Sequence, residues 1–289
     1  MIPAPDAWQI VLTRTAQLEA VRLPLINALG RTLRHAAVAD ADSPPFDASA
    51  MDGYAASRAD LGQPLRLIGE TPAGGSFSAT ISPGECVRIF TGAPVPAGAD
   101  CVIKQEDTVR EADRVRVLRT DSALFIRRRG ENRRAGDTVV PAGTRLGPPE
   151  LAALANAGIA QPEVTRAPRC MHLVTGNELV AADQAPSGAQ IRDSNSPLVA
   201  SLLAQHGARL AGQARVGDNL GAAEALVEKF PPHDVLLISG GASVGDHAFA
   251  RPLLKALGYA LHFEQVNLRP GRPLVFASRG QQKIGRAHV

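Results

Sequence analysis

Two arginines in the segment RPGRP, Arg269 and Arg272, have the spacing of a small anion-binding loop. The prolines of this segment stiffen the backbone, and Gly271 allows an unusual φ angle. A stiff loop of this kind would present two guanidinium groups, each able to donate paired hydrogen bonds to a doubly charged oxyanion or a phosphate. The alternative is a surface turn that carries two solvated arginines.

Two other glycine-rich loops follow predicted strands. TGNEL follows the apolar run RCMHLV, and SGGASVGD follows DVLLI. Glycines let backbone N–H groups approach an anion closely, and the N-terminus of a following helix adds positive potential. Each loop alone is also compatible with a tight structural turn, but three such loops together indicate a binding site.

Three carboxylates are predicted near these loops: Glu178, Asp218 and Asp246. Carboxylates beside a phosphate site are typical ligands of a hard cation such as Mg²⁺. For Asp218 and Asp246 the alternative is N-capping of the helices that follow them. A separate segment, FIRRRGENRRAGD, carries five arginines and is interpreted either as a second anion-binding wall or as a solvated face.

The elements that must position these loops alternate strand and helix from about residue 168 onward. RCMHLVTG, ARLAGQARV, DVLLISGG and ALHFEQVNL are predicted strands, with helices between them. This order predicts a three-layer α/β domain with a parallel sheet and helices on both faces. Ligands of such sheets bind outside the carboxyl ends of the strands, where the three loops would meet.

The first half of the chain has a different pattern of predicted elements. A helix is predicted over about residues 5–20, short β-rich runs over about 60–140, and a helix in GPPELAALANAGI. The chain is therefore predicted to be multidomain, α/β plus β, with a small β-rich inserted domain. The predicted division is a discontinuous linker or dimerisation domain (1–40 and 139–167), the β-rich domain (41–138), the α/β domain (168–280) and a tail (281–289).

The composition of the 289 residues excludes some classes of protein. The net charge is +3, from 31 Lys+Arg against 28 Asp+Glu, which is too weak to indicate a nucleic-acid partner. No apolar run is long enough to cross a membrane, and the N-terminus lacks a signal-peptide pattern. Cys86, Cys101 and Cys170 have no metal-site spacing, so reduced core thiols in a cytoplasmic protein are expected.

Motifs along nearly the whole chain resemble the molybdopterin molybdotransferase (molybdenum insertase) family, which includes the E domain of gephyrin. The matching stretches are SPPFDASAMDGYA, FTGAPVPAGADCVIKQED, RRRGENRRAGD, PAGTRLGPPELAALANAGI, TGNEL, IRDSN, SGGASVGD and RPGRP. Molybdopterin adenylyltransferases and CinA-like proteins carry loops similar to TGNEL, IRDSN and SGGASVGD. The β-rich first half of the chain favours the molybdotransferases over these two alternatives.

The resemblance implies an activity and partners. Family members insert molybdate into adenylyl-molybdopterin, giving molybdenum cofactor and AMP, with Mg²⁺. They work as homodimers with the active site in a cleft between domains, and a molybdopterin adenylyltransferase is the expected upstream partner. The stretch around Asp52 would line this cleft, although a rigid interdomain turn is the structural alternative. The sequence does not distinguish molybdenum from tungsten as the inserted metal.

The resemblance also implies roles for residues at matching positions. The expected catalytic residues are Asp52, Thr91, Glu178 and Asp218, and the expected Mg²⁺ ligands are Glu178, Asp218 and Asp246. The expected residues for binding the pterin substrate and the oxyanion are Thr175, Gly176, Ser194, Asn195, Gly240, Gly241, Ser243, Arg269, Pro270, Gly271 and Arg272.

Four positions depart from the family pattern. Asn132 and Ala248 replace usual aspartates, Gln265 replaces a frequent lysine, and Asn177 replaces the commoner aspartate of TGNEL. The first three changes remove charge from the expected site. They favour, as an alternative, a catalytically weakened homologue that binds pterin or acts as a scaffold.

The end of the sequence also departs from the family, which continues past RPGRPLVF with a further loop, a helix and a β-barrel domain. KIGRAHV does not resemble the family, so a C-terminally truncated chain with a non-native tail (281–289) is expected. On this interpretation the tail is unpacked, and the chain as written is poorly soluble or inactive.

Overall fold

The computed structural model of the chain describes residues 1–240, 250–280 and 282–286. The chain divides into two compact units. The first, called the α/β unit, contains residues 1–34, 143–148 and 161–289. The second, called the β unit, contains residues 35–142 and 149–160.

Short strands dominate the described chain. The α-helices are α1 (Ala4–Arg14), α2 (Pro148–Asn156), α3 (Asn195–Gln205), α4 (Leu220–Glu228) and α5 (Ala250–Ala256). Three 3₁₀ turns span Leu25–Ala28, Arg58–Asp60 and Gln105–Asp107. The strands are β1 (Ala20–Arg22), β2 (Ala37–Val38), β3 (Ala48–Ser49), β4 (Gly53–Ala56), β5 (Leu65–Thr71), β6 (Glu85–Ile89), β7 (Cys101–Lys104), β8 (Thr108–Glu111), β9 (Arg114–Val117), β10 (Ile126–Arg127), β11 (Thr138–Val140), β12 (Glu163–Thr165), β13 (Arg169–Thr175), β14 (Leu179–Val180), β15 (Ile191–Arg192), β16 (Arg209–Val216), β17 (Val235–Ser239), β18 (Ala260–Phe263), β19 (Val275–Arg279) and β20 (Gln282–Arg286).

The α/β unit is built on a six-stranded sheet in the order β16-β13-β17-β20-β19-β18. β13 is parallel to β16 and β17, and β17 is parallel to β20. The expected α/β sheet is therefore present, and its four predicted strands are confirmed. One strand differs from the expectation, since β19 runs antiparallel to both of its neighbours. It does so because the chain returns directly from β18 without a crossover helix.

The core of the α/β unit follows from side-chain alternation along the central strand β13. Met171 and Leu173 are buried against α4 and α5 on one face of the sheet. The intervening residue His172 points to the other face, where α3 lies and where Gln213 of β16 bonds Ser196. This gives the three layers that βαβ units form.

The β unit contains a second six-stranded sheet, in the order β7-β4-β6-β5-β9-β8. Its central strand β4 is buried along its whole length. Gly53 starts this strand where an added Cβ would lie 1.8 Å from the carbonyl oxygen of Ile103 on β7. Glycine is therefore required for the backbones to pair at this point.

Segments distant in sequence pair with each other within each unit. In the α/β unit, β1 pairs antiparallel with β12, and Leu33 bridges to Val164. In the β unit, β2 pairs antiparallel with β11. The finer division into three domains with the boundaries given above stays a prediction.

The expectation that the tail is unpacked is wrong for the strand β20. This strand pairs with β17 on one side and with β19 on the other, from Gln282↔Arg279 to Arg286↔Ile238. Backbone hydrogen bonding needs no particular side chains, so a short segment of mixed composition can fill a sheet position. The interpretation of 281–289 as non-native stays a prediction.

In the described ranges no helix is long and apolar enough to cross a membrane. The three cysteines are free and buried, as expected. Burial raises the pKa of Cys86 to about 12, and burial first and the charge of a nearby aspartate second raise those of Cys101 and Cys170 to about 11. All three therefore stay protonated and unreactive near neutral pH.

Candidate functional site

The carboxyl ends of β13 and β17 lie in close backbone contact. Gly240 follows β17 with a φ of +89°, and an added Cβ there would lie 1.8 Å from the carbonyl oxygen of Thr175. The hydroxyl of Thr175 donates to the carbonyl of Ser239 at 3.4 Å. Glycine is needed at 240 because any side chain would separate the two strands.

The TGNEL loop contacts the end of the neighbouring strand β16. The amide group of Asn177 donates to the carboxylate of Asp218 and accepts from its backbone N–H, both at 3.3 Å. Gly217 makes this contact possible, since a Cβ there would lie 2.4 Å from the Asn177 side-chain oxygen. The side chain of Glu178 folds over Gly176, whose φ is +142°. Two exposed carboxylates, Glu178 and Asp218, are thus carried by two loops in direct contact.

The alternative role of Asp218, N-capping of the following helix, is instead filled by the next residue. The side chain of Asn219 accepts from the N–H of Ala222 at 2.9 Å and caps α4. The carboxylate of Asp218 is one residue too early to reach that helix end, so its only described side-chain bond is the one from Asn177. It therefore stays available to a ligand.

The RPGRP loop connects β18 to β19 at the same edge of the sheet. β18 runs antiparallel to β19, as β20 does, so β18 has the direction of β13 and β17. Both Arg269 and Arg272 are exposed, and in the described ranges neither guanidinium pairs with a carboxylate. Gly271 has a φ of +105°, and the Arg269–Pro270 peptide bond is cis. The carbonyl of Arg272 accepts from the N–H groups of Val266 and Leu274 at 3.0 and 2.9 Å, which fixes the loop backbone.

The IRDSN motif positions the start of α3 through a residue that the sequence analysis did not single out. Asp193 is buried, and its carboxylate accepts from the Ser196 N–H at 3.0 Å, from the Ser196 hydroxyl and from Arg215 at 3.2 Å. Burial alone would raise the pKa of Asp193, but these hydrogen bonds outweigh burial and lower it. The expected binding residues Ser194 and Asn195 form the first turn that Asp193 anchors, and Ser194 is exposed. An acid directly before a helix start was the available signal.

A buried histidine lies beneath this edge. His172 is fully buried, and its Nε2 atom lies 2.9 Å from the Ser239 hydroxyl. Its Nδ1 atom has no hydrogen-bond partner among the described residues. Burial lowers the pKa of His172, so the ring is neutral near pH 7. No sequence signal separated this histidine from an apolar core residue.

The β unit holds the other two expected catalytic residues. One carboxylate oxygen of Asp52 accepts from both the N–H and the hydroxyl of Thr91, each at 2.7 Å. The backbone hydrogen bond is the main cause, and the hydroxyl the second, of a pKa of Asp52 below its ordinary value. Asp52 is therefore an ionised, oriented and exposed carboxylate at neutral pH.

Arg88 lies beside Asp52 and was not predicted. Its guanidinium stacks over the rings of Tyr54 and Phe90, with distances of 5.0 and 5.1 Å to the ring centroids. It also donates to Gln105 at 2.5 Å and contributes to the lowered pKa of Asp52. Its position follows from the antiparallel pairing of Tyr54 with Arg88, which the sequence alone does not specify.

Two of the five arginines in the arginine-rich segment pair with carboxylates of the same unit. Arg128 pairs with Asp47 at 2.6 Å, and Arg129 pairs with Asp42 at 2.6 Å. Asn132, one of the departures from the family, accepts from Arg127 at 2.9 Å. These bonds give Arg128 and Arg129 a structural role, and the other three arginines of the segment pair with no carboxylate among the described residues.

Several expected site residues have no described structure. Gly241, Ser243, Asp246 and the departure Ala248 lie outside the described residues, so their predicted roles stay predictions. Gln265 is described, and its carbonyl accepts from the Ile2 N–H at 3.1 Å. Within the described ranges no group of three or more His, Cys, Asp or Glu side chains is arranged to hold a metal ion.

Both halves of the chain match protein-family models. Residues 2–158 match the MoeA N-terminal region (domain I and II), and residues 172–287 match a probable molybdopterin binding domain. The combination defines a protein of molybdenum cofactor biosynthesis. The chain belongs to the MoeA family of molybdopterin molybdenumtransferases, as the resemblance implied.

Known relatives match almost the entire chain. A molybdopterin molybdenumtransferase of Nostoc sp. is 38% identical over 94% of this chain, and that of Staphylococcus aureus (strain Mu50) is 30% identical over 93%. A crystal structure of the molybdopterin biosynthesis moeA protein from Pyrococcus horikoshii OT3 has a TM-score of 0.80 at 27% identity, covering 99% of this chain and 74% of that one. The chain spans 64% of the length of the Nostoc relative.

Proposed function

We propose that this protein is a molybdopterin molybdotransferase, which inserts molybdate into adenylyl-molybdopterin and releases molybdenum cofactor and AMP. Membership of the family supports this activity, because relatives named molybdopterin molybdenumtransferase align along 93–94% of the chain. The alternatives of an adenylyltransferase or a CinA-like protein are disfavoured by the match of residues 2–158 to the MoeA N-terminal region.

The observation that carries the proposal is a pair of arginines at the carboxyl edge of the sheet that contact no carboxylate among the described residues. Arg269 and Arg272 are exposed on a loop whose backbone is fixed by hydrogen bonds. A guanidinium without a carboxylate partner keeps its donors for a ligand, and its planar geometry matches a tetrahedral oxyanion. These two residues are proposed to bind molybdate, while the loops that contain Gly176 and Gly240 are proposed to bind the phosphate groups of the substrate.

Glu178 and Asp218 fit the requirements of Mg²⁺. The ion usually takes one or two protein carboxylates and completes its shell with water and substrate phosphates. Both carboxylates are exposed, and their loops are joined through Asn177. When bound, Mg²⁺ would neutralise charge on the substrate phosphates. Asp246 is proposed as a third ligand from the sequence alone.

Asp52 and Thr91 are proposed as the catalytic residues of the β unit. Thr91 bonds one oxygen of Asp52, and the other oxygen, which no described residue bonds, is proposed to accept a hydrogen bond from the substrate. Its lowered pKa keeps this group an acceptor at neutral pH. We further propose that the protein works as a cytoplasmic homodimer that receives its substrate from a molybdopterin adenylyltransferase.

A second candidate is a homologue that binds pterin or a partner without turnover. The neutral residues Asn132 and Gln265, at positions where the family usually carries charge, favour it. The two candidates differ in a single observable, which is molybdate-dependent release of AMP.

The test is to incubate the protein with adenylyl-molybdopterin and Mg²⁺ and to quantify AMP with and without molybdate. The proposal predicts AMP release that requires molybdate, is abolished by Arg272→Ala and is unaffected by Arg114→Ala on the β unit. Substrate binding without AMP release would reject the enzyme in favour of the binding homologue.

A further inference from the structure

A basic groove lies at the amino-terminal edge of the α/β sheet, opposite the edge that carries the candidate site. The groove encloses about 710 Å³ and is formed within the α/β unit, at the starts of β13 and β16 and beside β1. Four arginines line it: Arg31, Arg166, Arg169 and Arg209. The rest of its wall is apolar, formed by Val21, Leu23, Ala167, Ala208 and Leu210.

The carboxylates around the groove neutralise only part of this charge. Arg166 makes two hydrogen bonds to Asp234, at 2.6 and 2.8 Å, and a further bond to Glu19. Asp234 also lies 3.9 Å from Arg169, at the outer limit of an ion pair. Two carboxylates against four arginines leave a net charge of about +2 around the groove.

Two of the arginines are held side by side by the sheet itself. The parallel register of β13 and β16 sets Arg169 directly against Arg209, and neighbouring strands are about 4.8 Å apart. Like charges on directly opposed strand residues are destabilising unless a counter-charge lies between them. Arg209 is exposed and pairs with no carboxylate in the described part of the chain.

Arg31 adds a donor that the protein leaves unused. One terminal nitrogen of its guanidinium donates to the carbonyl of Gly207 at 2.7 Å, which fixes the side chain at the groove wall. Its Nε atom is buried and has no hydrogen-bond partner in residues 1–240, 250–280 or 282–286. Leaving this buried donor unsatisfied costs free energy, and the guanidinium of Arg31 is part of the groove wall.

We propose that this groove binds an organic phosphomonoester. A phosphate dianion placed between Arg169 and Arg209 would relieve their repulsion and accept charge-assisted hydrogen bonds from both. The apolar wall from Val21 to Leu210 would cover the carbon skeleton of the ligand. The site is separate from the one proposed for the molybdotransferase reaction, since it lies at the other end of the same strands.

The experiment uses the complete 289-residue chain and phenyl phosphate as the probe, with calorimetry as the readout. We expect Arg209→Ala to weaken the binding of phenyl phosphate at least about tenfold, because it removes one charge-assisted hydrogen bond. The matched control is Arg114→Ala, which removes an equally exposed arginine from the first position of the strand β9 and should leave the affinity unchanged. Inorganic phosphate should bind more weakly than phenyl phosphate because it leaves the apolar wall uncovered.

A thermal measurement provides the second readout and separates binding from folding. Without ligand, Arg209→Ala should melt at the wild-type temperature or above it, since it removes a like-charge pair. With phenyl phosphate, only chains that retain Arg209 should gain stability. The proposal is overturned if Arg209→Ala binds as the wild type does, if Arg272→Ala alone abolishes binding, or if inorganic phosphate binds as tightly as phenyl phosphate.

Discussion

Two arginine-rich segments of this chain have opposite environments. In the segment 126–137 of the β unit, Arg128 and Arg129 are each bonded to an aspartate at 2.6 Å. In the RPGRP loop of the α/β unit, Arg269 and Arg272 contact no carboxylate of the described chain. The longer segment thus contains carboxylate-paired arginines, whereas neither arginine of the loop has a carboxylate partner among the described residues.

We infer that the carboxylate partners of an arginine, more than the local density of basic residues, decide whether it can bind an anion. An arginine that already pairs with a carboxylate must lose that partner before it can bind an anion, and the exchange yields little net free energy. An exposed arginine on a fixed loop loses only water. The useful signal is the absence of acidic neighbours in three dimensions.

Direct backbone contact holds the sheet edge of the α/β unit, whereas ion pairs hold part of the arginine-rich segment. The largest expected loss of stability is therefore at the sheet edge. At the sheet edge, Gly240→Ala would place a methyl group 1.8 Å from the Thr175 carbonyl oxygen, at a φ of +89°. We expect a loss of unfolding free energy of about 3 kcal/mol or more. Denaturant titration of the purified variant would measure it.

The control for this variant is Gly221→Ala, which lies in the first turn of α4 with no backbone atom crowding it. It should be neutral or stabilising, since alanine favours a helix. A Gly240→Ala variant as stable as Gly221→Ala would show that the strand ends are not in the contact described.

A smaller effect is expected where ion pairs hold the arginine-rich segment. Asp47→Ala removes the partner of the Arg128 side chain and of the Arg129 N–H. Because both side chains are partly exposed, solvent screening limits the expected loss of stability to about 1 kcal/mol. Asp183→Ala, at an exposed position, is the control and should have no effect.

The same variant, Asp47→Ala, also tests whether the arginine-rich segment binds molybdate. If the arginine-rich segment has a structural role only, Asp47→Ala lowers the melting temperature but leaves the affinity for molybdate unchanged. An increase in molybdate affinity on freeing Arg128 would reassign this segment to anion binding.

The smallest effect concerns pH and the buried histidine beneath the sheet edge. Burial lowers the pKa of His172 in the folded state, so the folded protein binds fewer protons than the unfolded chain. The contribution of neutral His172 to the free energy of unfolding is therefore fully present above the unfolded pKa of about 6.5. It is lost as the pH falls below that value. The measurement is unfolding stability between pH 7.5 and pH 5, compared with His172→Gln. The variant should show a shallower decline, and parallel curves for both proteins would contradict the assignment.

The strand and loop order of the α/β unit could be predicted from the sequence because strong local signals coincide there. In the sequence, buried strands such as β13 are apolar runs, and glycine-rich loops follow them. β20 was missed because strand pairing of a short, mixed segment is decided by its neighbours in the sheet. Asp193 and Arg88 were missed as site residues for a related reason: their importance depends on contacts with Arg215 and Tyr54, which are distant in sequence.

The central claim is that Arg269 and Arg272 of RPGRP, and not the carboxylate-paired Arg128 and Arg129, bind the oxyanion. Its most direct test is calorimetric titration of molybdate into the wild type, Arg272→Ala and Arg128→Ala. The account predicts at least about a tenfold loss of affinity for Arg272→Ala, from one or more charge-assisted hydrogen bonds, and wild-type affinity for Arg128→Ala. Unchanged affinity in Arg272→Ala, or a comparable loss in Arg128→Ala, would contradict it.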